Sequence, residues 1–530
     1  MSQPATKEFG RWRSFFWPVH NFELKKLLPM FLLFFFINFN YTILRDTKDS
    51  LIVTSSGAET ISFLKVWGVL PCAILFMLAY SKLSNIMSKQ KLFVSTIAFF
   101  AVFFALFPTV LYPLRETLHP TALADSAQAC LPAGFAGFIN IFRHWTYSLF
   151  YIMSELWGSV AMSLLFWGFA NDTTKVSESK RFYALFGLGA NLAMYPSGML
   201  IKKFAGLKAS LPPEVDAWGV TLNYTLFAVV IAAACVIGVY LYINKKVLTD
   251  PRFFDPTEVK KSKKEKPKMS LKESFLFLAR SPYIGCLAIL VIAYGVAINL
   301  VEITWKSQLK LQYPNAVDYQ NFMGGFSMMT ATATIFMMLF VGGNVIRKFG
   351  WGVGALITPV VLLITGIGFF SSVMFKEYLA GFIAMLGTTP LMLAVLFGTA
   401  QNFISKSAKY SLFDPSKEMA YIPLDQESKV KGKAAIDVVG ARLGKAGGSL
   451  IQQGLIVGFG SLALCTPYIA AILFAIIFAW IFAAKSLNKQ FLALSAQREA
   501  EKAQAEAEAA VAASPKSAKA PEPATAQVGS

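Results

Sequence analysis

Residues 27–54 read LLPMFLLFFFINFNYTILRDTKDSLIVT, an apolar segment that acquires Arg45 and Lys48 in its second half. About 20 predominantly apolar residues cross the hydrocarbon core of a bilayer as a helix. We therefore predict that this segment spans a membrane. Charged side chains are costly in lipid, so Arg45 and Lys48 are predicted to face other helices or a water-filled cavity.

Segments of this kind recur along almost the whole chain. Of its 530 residues, 55% are hydrophobic and 15% are charged, which is too apolar for one soluble core. Hydropathy predicts twelve spans, near residues 27–54, 61–81, 91–112, 143–170, 182–203, 221–244, 279–305, 321–346, 352–375, 379–404, 435–460 and 466–486. The predicted fold class is all-α, a polytopic membrane protein of about twelve transmembrane helices with no soluble enzyme domain left over.

The spans divide into two groups of six, separated by a long basic segment. The predicted parts are an N-terminal cytoplasmic segment (1–26), a six-helix bundle (27–244), a basic linker (245–272), a second six-helix bundle (273–486) and a cytoplasmic disordered tail (487–530), in which a short exposed helix precedes disorder from residue 512. Two six-helix halves in tandem are typical of major-facilitator-type transporters. The starts of the two halves also share a faint pattern, FINFNYTILRDTKDSL against AYGVAINLVEITWKSQL.

The positive charges indicate how the chain is oriented. The net charge is +19, and the basic residues cluster in short loops between apolar segments rather than along one face, which favours a membrane protein over nucleic-acid binding. The basic loops near residues 82–91, 175–181 and 347–348 fall on the same side as the N-terminus. The positive-inside rule therefore predicts that both termini are cytoplasmic, and that the linker is solvated and attracts membrane lipids only as any basic loop does.

Several chemistries are disfavoured by what the sequence contains. The five cysteines are scattered without a CxxC pair, and the three histidines lie apart without metal-ligand spacing or a neighbouring nucleophile motif. The KAGGS sequence at 445–449 is not a phosphate-binding Walker loop, because GxxxxGK[ST] is missing and no strand precedes it. We therefore expect no metal, no cofactor and no enzymatic activity.

A charge near the bilayer centre costs roughly 2.5–3.5 kcal/mol, so repeated charges within spans indicate function. Arg45 and Lys48 share one helical face with Tyr41, and Glu155 lies deep in the fourth span. The candidate substrate-binding residues are Arg45, Lys48, Tyr151, Glu155, Asn191, Tyr195, Asn299, Glu302, Lys306, Arg442 and Lys445. Glycines beside Lys445 would allow close helix approach or a local break in the helix.

Simpler explanations exist for each candidate. Lys48 and Lys306 could extend to the membrane surface, and Glu155 or Glu302 could form a structural ion pair. Lys445 could do the same, and the tyrosines could be packing residues. If the residues do form a site, fixed lysines and arginines in a central cavity suit an anion, above all a phosphate. Aromatic and asparagine side chains could hold a planar base.

Four stretches carry a resemblance to a known family: ILRDTKDSL (43–51), SELWGSVAMSLLFWGFAN (154–171), EITWKSQLK (302–310) and KVKGKAAIDVVGARLGKAGGSLIQQ (429–453). Over roughly residues 10–490 the sequence resembles the plastid and bacterial ATP/ADP translocases. The resemblance implies exchange of ATP for ADP across a bacterial inner membrane, importing host ATP, with phosphate as a further candidate substrate. It also implies roles for Lys48, Glu155, Glu302 and Lys445, which match charged positions important to that family.

The mechanism predicted from these features is alternating access, with the two halves rocking about a site at the membrane midplane. We expect unneutralised cations of the empty site to oppose closure, and a bound nucleotide to compensate them. The alternative within the same fold is a proton-coupled importer of nucleotides or NAD. The sequence leaves the oligomeric state and the choice between exchange and net import open.

Overall fold

The computed structural model describes residues 19–174, 176–250, 253, 281–436 and 440–513, and within them all regular structure is helical. The first half contributes six long helices: α1 (Asn21–Ser56), α2 (Thr60–Ile86), α3 (Lys89–Leu111), α4 (Trp145–Thr173), α5 (Arg181–Ser210) and α6 (Ala217–Val247). Short helices at Arg115–Leu118, Thr121–Cys130 and Ala136–Arg143 connect α3 to α4.

The second half repeats this arrangement. Its helices are α7 (Pro282–Gln312), α8 (316–349), α9 (351–374), α10 (Pro390–Ala420), α11 (Ala441–Phe459) and α12 (Leu462–Ala513). The predicted linker, apart from its first six residues and Phe253, lies outside the described residues, as does most of the predicted N-terminal segment.

The boundary between α8 and α9 lies at Gly350, where the backbone φ angle is 85°. A Cβ atom added to Gly354 would lie 2.9 Å from Cγ1 of Ile346, eight residues earlier. In a continuous helix these positions are about 12 Å apart along the axis. The chain therefore reverses direction at Gly350, and glycine is suited to the positive φ of the turn.

By length and composition alone, the described residues contain nine helices able to cross a membrane, or ten when one bent pair is counted. Those nine include the 59-residue segment Ala316–Met374 as one helix, although the reversal at Gly350 divides it in two. The helix α11 is 19 residues long and mixes glycine and charge with its apolar residues. With both counted, the described chain follows the predicted order of twelve spans.

Two predicted boundaries are wrong. The tenth span was expected at 379–404, but Lys376–Met385 is a separate short helix bent by 91° from α10. The helix is interrupted at Gly387, whose backbone φ angle is 71°. Thr389 then caps the next helix, because its side chain accepts a hydrogen bond from the Met392 amide. The longer α10 keeps Lys406 inside the bundle.

The second boundary is the end of the twelfth span. It was expected at residue 486, with a separate short exposed helix before disorder from residue 512, but α12 continues without a break through residues 487–513 to Ala513. Their sequence is rich in alanine, glutamate, lysine and glutamine, which have high helix propensity. Residues 514–530 lie outside the described part of the chain.

The two halves meet mainly at one end of the bundle. We call the end where α1 and α7 begin the proximal end, and the end where they finish the distal end. At the distal end, Gln320 of α8 bonds to Thr47 and Ser50 of α1, and Gln453 of α11 donates to the Ser62 carbonyl.

The backbones of the two halves also approach closely there. A Cβ on Gly198 of α5 would lie 2.5 Å from the carbonyl oxygen of Gly324 in α8. Hydrogen bonds and ion pairs join described residues of the two halves mainly near the distal end. The contact of Asn191 with Met338 lies nearer the middle of the bundle than the others. The conformation is therefore one in which the distal end is closed.

Candidate functional site

Six charged side chains form a continuous series of contacts that crosses from one half to the other, and their signs alternate. In order, the members of this charge chain are Glu155, Lys48, Asp49, Lys306, Glu302 and Lys406. The first three belong to α4 and α1, and the last three belong to α7 and α10. The series contains three acidic and three basic groups, so it is neutral as a whole.

The centre of the charge chain is Asp49. Its Oδ1 atom lies 2.9 Å from Nζ of Lys48, and its Oδ2 atom lies 2.8 Å from Nζ of Lys306. The side chains of these three residues are only 2–4% exposed. Removing charges from water to this degree is tolerated only where they are paired, so the three groups stabilise one another's burial.

The two ends of the charge chain are more accessible. The Nζ atom of Lys48 lies 2.9 Å from Oε1 of Glu155, whose side chain is 34% exposed. In the second half, Oε1 of Glu302 lies 3.2 Å from Lys306 and 4.0 Å from Lys406. The side chains of Glu302 and Lys406 are each 20% exposed, so a solute can reach groups at both ends of the series.

Aromatic rings cover two of the lysines. The Nζ atom of Lys48 lies 3.9 Å from the centre of the Tyr151 ring, and that of Lys406 lies 5.0 Å from the centre of the Phe326 ring. Both are cation–π contacts. The Tyr151 hydroxyl is buried with no hydrogen-bond partner in the part of the chain that the structure describes, which makes it available to a ligand.

A second polar cluster joins α1 to α8. Arg45 donates to Oδ1 of Asp46 at 2.9 Å and to Oγ of Ser327 at 2.7 Å, and Ser327 in turn donates to Asp46. Asp46 is fully buried, whereas the Arg45 side chain is 15% exposed. This cluster places a further guanidinium close to the charge chain.

Lys65 adds a fifth cation at the same interface. It lies in α2 and donates to Oδ1 of Asn299 in α7 at 2.8 Å, while the Asn299 amide donates to Ser449 of α11 at 3.3 Å. Asn299 therefore links two further helices to the site. Its spacing of three residues from Glu302 places both on the same face of α7.

Three of these charged residues are next to π-helical segments. Lys65 lies in Leu64–Val69, Glu155 precedes Gly158–Phe166, and Lys406 precedes Lys409–Phe413. A π-helical turn inserts an extra residue into an α-helix and rotates the side chains that follow. Such segments occur frequently at functional sites, and here they accompany the charged positions of α2, α4 and α10.

The structure brings together most of the residues predicted from the sequence. Lys48, Tyr151, Glu155, Glu302 and Lys306 are in the charge chain or contact it directly. Arg45 and Asn299 belong to the two polar groups beside it. The amines of Lys48 and Lys306 are held in buried ion pairs, so neither lysine extends to the membrane surface.

Two predicted residues lie elsewhere. The Asn191 amide donates to the carbonyl of Gly187 in its own helix and to the sulfur of Met338. Tyr195 is 42% exposed on the same face of α5 as Leu192 and Met199, which are also exposed. An exposed apolar face of this kind is typical of contact with lipid.

Two more predicted residues, Arg442 and Lys445, are in α11, but their side chains lie outside the described part of the structure. The backbone of this helix is described. The Cα of Gly444 would lie 2.8 Å from a Cβ added to Gly295 of α7, so α7 and α11 pack closely where the glycines of α11 predicted it.

Sequence reasoning missed Asp46, Asp49, Lys65 and Lys406. The two aspartates stand in the RDTKD stretch, where the basic residues were considered without them. Arg45 and Lys48 are paired with these carboxylates, so these two residues are not among the unneutralised cations that were expected in the empty site. Among those residues there is also no group of three His, Cys, Asp or Glu side chains that could hold a metal ion.

The two helical halves of the described chain have a major-facilitator-like fold. A solved structure of a D-xylose-proton symporter has this fold: its TM-score is 0.53 at 11% identity, covering 88% of this chain and 97% of the symporter. A family model described as TLC ATP/ADP transporter matches residues 2–491. The chain belongs to this family, and it is therefore a multi-pass ATP/ADP transporter rather than an enzyme.

Individual relatives agree with the family assignment. ADP,ATP carrier protein 1 of Chlamydia trachomatis is 60% identical over 503 residues, covering 94% of this chain and 95% of that protein. The chloroplastic ADP,ATP carrier protein 1 of Arabidopsis thaliana is 54% identical over 481 residues, covering 90% of this chain and 76% of that protein. The resemblance inferred from four sequence stretches is confirmed.

Proposed function

We propose that this transporter exchanges ATP for ADP by alternating access and binds the nucleotide phosphates at the charge chain. The observation that carries the proposal is the location of Lys48, Lys306 and Lys406 between the two halves. A substrate bound there contacts both halves at once. Its binding energy can therefore stabilise the transition state for moving one half against the other.

The charges near the site suit an anion that must also leave. Five described cations, Arg45, Lys48, Lys65, Lys306 and Lys406, face four described carboxylates, those of Asp46, Asp49, Glu155 and Glu302. The small positive excess attracts phosphates without fixing them permanently. When the nucleotide departs, the lysines pair with the carboxylates again, which limits the unpaired charge that is left in the empty site.

The accessible groups indicate where binding starts. The side chains of Lys406 and Arg45 are partly exposed and can contact a phosphate first. Lys48 and Lys306 are buried and paired with Asp49. The face of the Tyr151 ring is covered by Lys48, so in this conformation the adenine base would pack on a different surface. Lys445 and Arg442, on α11, are proposed to extend the cationic site.

Direction follows from orientation. With both termini in the cytoplasm of a bacterial cell, the closed distal end faces outward and the site opens toward the cytoplasm. In its physiological direction the carrier would import ATP through the inner membrane and return ADP, with inorganic phosphate as a candidate third substrate.

The test is uptake of labelled ATP into liposomes that contain the purified protein. Four sets of vesicles are compared, preloaded with ADP, with GTP, with buffer, or with buffer plus an inward proton gradient. Uptake only with internal ADP is the expected result. Uptake into empty vesicles driven by the gradient would identify a proton-coupled importer instead, and Glu155 and Glu302 would then be the candidate proton carriers.

A further inference from the structure

The carboxylate of Asp49 is shared between one lysine from each half. Lys48 of α1 and Lys306 of α7 each contact a different oxygen of the carboxylate, at 2.9 and 2.8 Å. The bond to Lys48 stays within the first half, whereas the bond to Lys306 crosses to the second. Asp49 therefore joins the halves at a buried position.

Opening the distal end must separate Asp49 from Lys306. Apart from Lys208 with Asp318, the other polar contacts between described residues of the halves there have at least one neutral partner, as in Gln320 with Ser50 or Ser327 with Asp46, and water can replace such a partner. The peripheral ion pair of Lys208 with Asp318 is 40–46% exposed, so solvent and salt screen it. The Asp49–Lys306 pair has no such exchange with solvent, because both side chains are 2–3% exposed.

We propose that Asp49 is an internal substitute for a substrate phosphate: it holds Lys306 in the empty carrier and keeps the distal end closed until a nucleotide phosphate replaces it. The proposal rests on the function proposed above and names the device that makes exchange obligatory. When a phosphate takes Lys306, Asp49 remains paired with Lys48, and the halves can part without exposing an unpaired charge. An empty carrier has no such replacement.

The substitution Asp49→Asn removes this control while leaving each lysine a carboxylate of its own half. Lys48 keeps Glu155 at 2.9 Å, and Lys306 keeps Glu302 at 3.2 Å. The matched control is Asp318→Asn, the same chemical change at another ion pair that joins described residues of the two halves. A second variant, Asp49→Glu, retains the carboxylate.

The experiment measures efflux of labelled ATP from preloaded liposomes into medium with ADP and into nucleotide-free medium. For Asp49→Asn, efflux into nucleotide-free medium should rise about 10-fold over the unsubstituted protein, because the empty carrier can now return. Asp318→Asn and Asp49→Glu should keep that efflux low. Equal, low efflux from Asp49→Asn and the unsubstituted protein would overturn the proposal.

A second measurement covers the possibility that Asp49→Asn does not fold. Spin labels at Ala129 and Ala463, exposed on opposite halves, report the distal separation in a cysteine-free variant that retains Asp49. The proposal predicts one short distance without nucleotide and an added longer distance with ADP. Equal opening with and without ADP would overturn it. If that protein catalyses no exchange at all, the proposed function fails, independently of Asp49.

Discussion

Glu155 of α4 and Lys406 of α10 occupy equivalent positions in the two halves, each three residues before a π-helical segment, yet their charges are opposite. Their partners are inverted in the same way. Glu155 pairs with a lysine of α1, and Lys406 lies 4.0 Å from a glutamate of α7. The two halves therefore place opposite charges next to the π-helical segments of α4 and α10.

Lys406 is accessible, and its carboxylate partner among the described residues, Glu302, is 4.0 Å away, so Lys406 should be a main phosphate contact. Replacing it in Lys406→Gln should lower kcat/KM for ATP exchange by about 10- to 100-fold, since a hydrogen bond to a charged group contributes roughly 1.5–3 kcal/mol. The control Lys409→Gln, three residues further on and paired with Asp414, should change it less than about 2-fold. Equal effects of both substitutions in reconstituted vesicles would argue against the assignment.

Close packing of α5 against α8 should be needed for the closed distal end. Gly198→Ala forces a methyl group against the Gly324 carbonyl, so the free energy of unfolding should fall by about 1–3 kcal/mol. Thermal unfolding in detergent and the exchange rate together measure this effect. The control is Gly206→Ala in the same helix, where no atom lies within 4 Å of the added methyl group. A Gly198→Ala protein as stable and active as the control would contradict the packing.

At the proximal end, Arg181 holds the buried Glu23 by two hydrogen bonds, of 3.0 and 2.6 Å. Arg181→Ala leaves a carboxylate with 4% side-chain exposure beside an empty space, so the melting temperature should fall clearly. The melting temperature of Arg181→Lys should fall less, because lysine keeps the positive charge although it cannot make both hydrogen bonds in the same geometry. Lys89 forms an ion pair with Asp172, and its side chain is 82% exposed, so Lys89→Gln should leave the melting temperature unchanged within error. Equal melting temperatures for all three variants would mean that the pairing of Arg181 with Glu23 does not stabilise the protein.

His144, at the distal end just before α4, should make stability depend on pH. Its imidazole contacts Ser56 Oγ at 2.8 Å and packs 5.3 Å from the His119 ring. Burial, then His119, Arg143 and Lys310, lower the pKa of His144 to about 4. Because this pKa lies below the ordinary value of 6.5, the stabilising effect is complete above pH 6.5 and is lost as the pH falls toward 4.

The measurement is the melting temperature between pH 7 and 4 for the unsubstituted protein and for His144→Gln, which cannot acquire the charge. The variant should lose less of its melting temperature over this range. Carboxylates titrate in both proteins, so the difference between the two curves reports His144. Parallel curves would mean that His144 does not control acid stability.

The fold could be predicted from the sequence because each membrane span is recognised from the hydropathy of its own residues. The prediction failed where one residue overrides composition. Because of Gly387 and Pro390, α10 starts later than predicted and extends to Ala420. Lys406 therefore lies within α10 but outside the predicted span of residues 379–404, and it was not considered as a site residue. The exposed helix after residue 486 was predicted, but hydropathy could not show that it continues α12 without a break, because helix propensity and not apolar character carries the helix on to Ala513.

Within the site, sequence reasoning found residues whose charge is costly in lipid, including Lys48, Glu155 and Glu302. It could not find how they pair, because Asp49 with Lys306 and Lys65 with Asn299 are contacts over more than 230 positions of sequence. The opposite signs of Asp46 and Asp49 were visible beside Arg45 and Lys48. Only the arrangement of both halves assigns those carboxylates their partners.

The most direct test of the account is the position of bound ADP in a structure of the full chain in lipid nanodiscs. The account predicts the diphosphate within hydrogen-bond distance of Lys406 and of Lys306 or Lys48, with Lys306 farther from Asp49 than the present 2.8 Å. A nucleotide bound elsewhere, with all contacts of the charge chain unchanged, would contradict it.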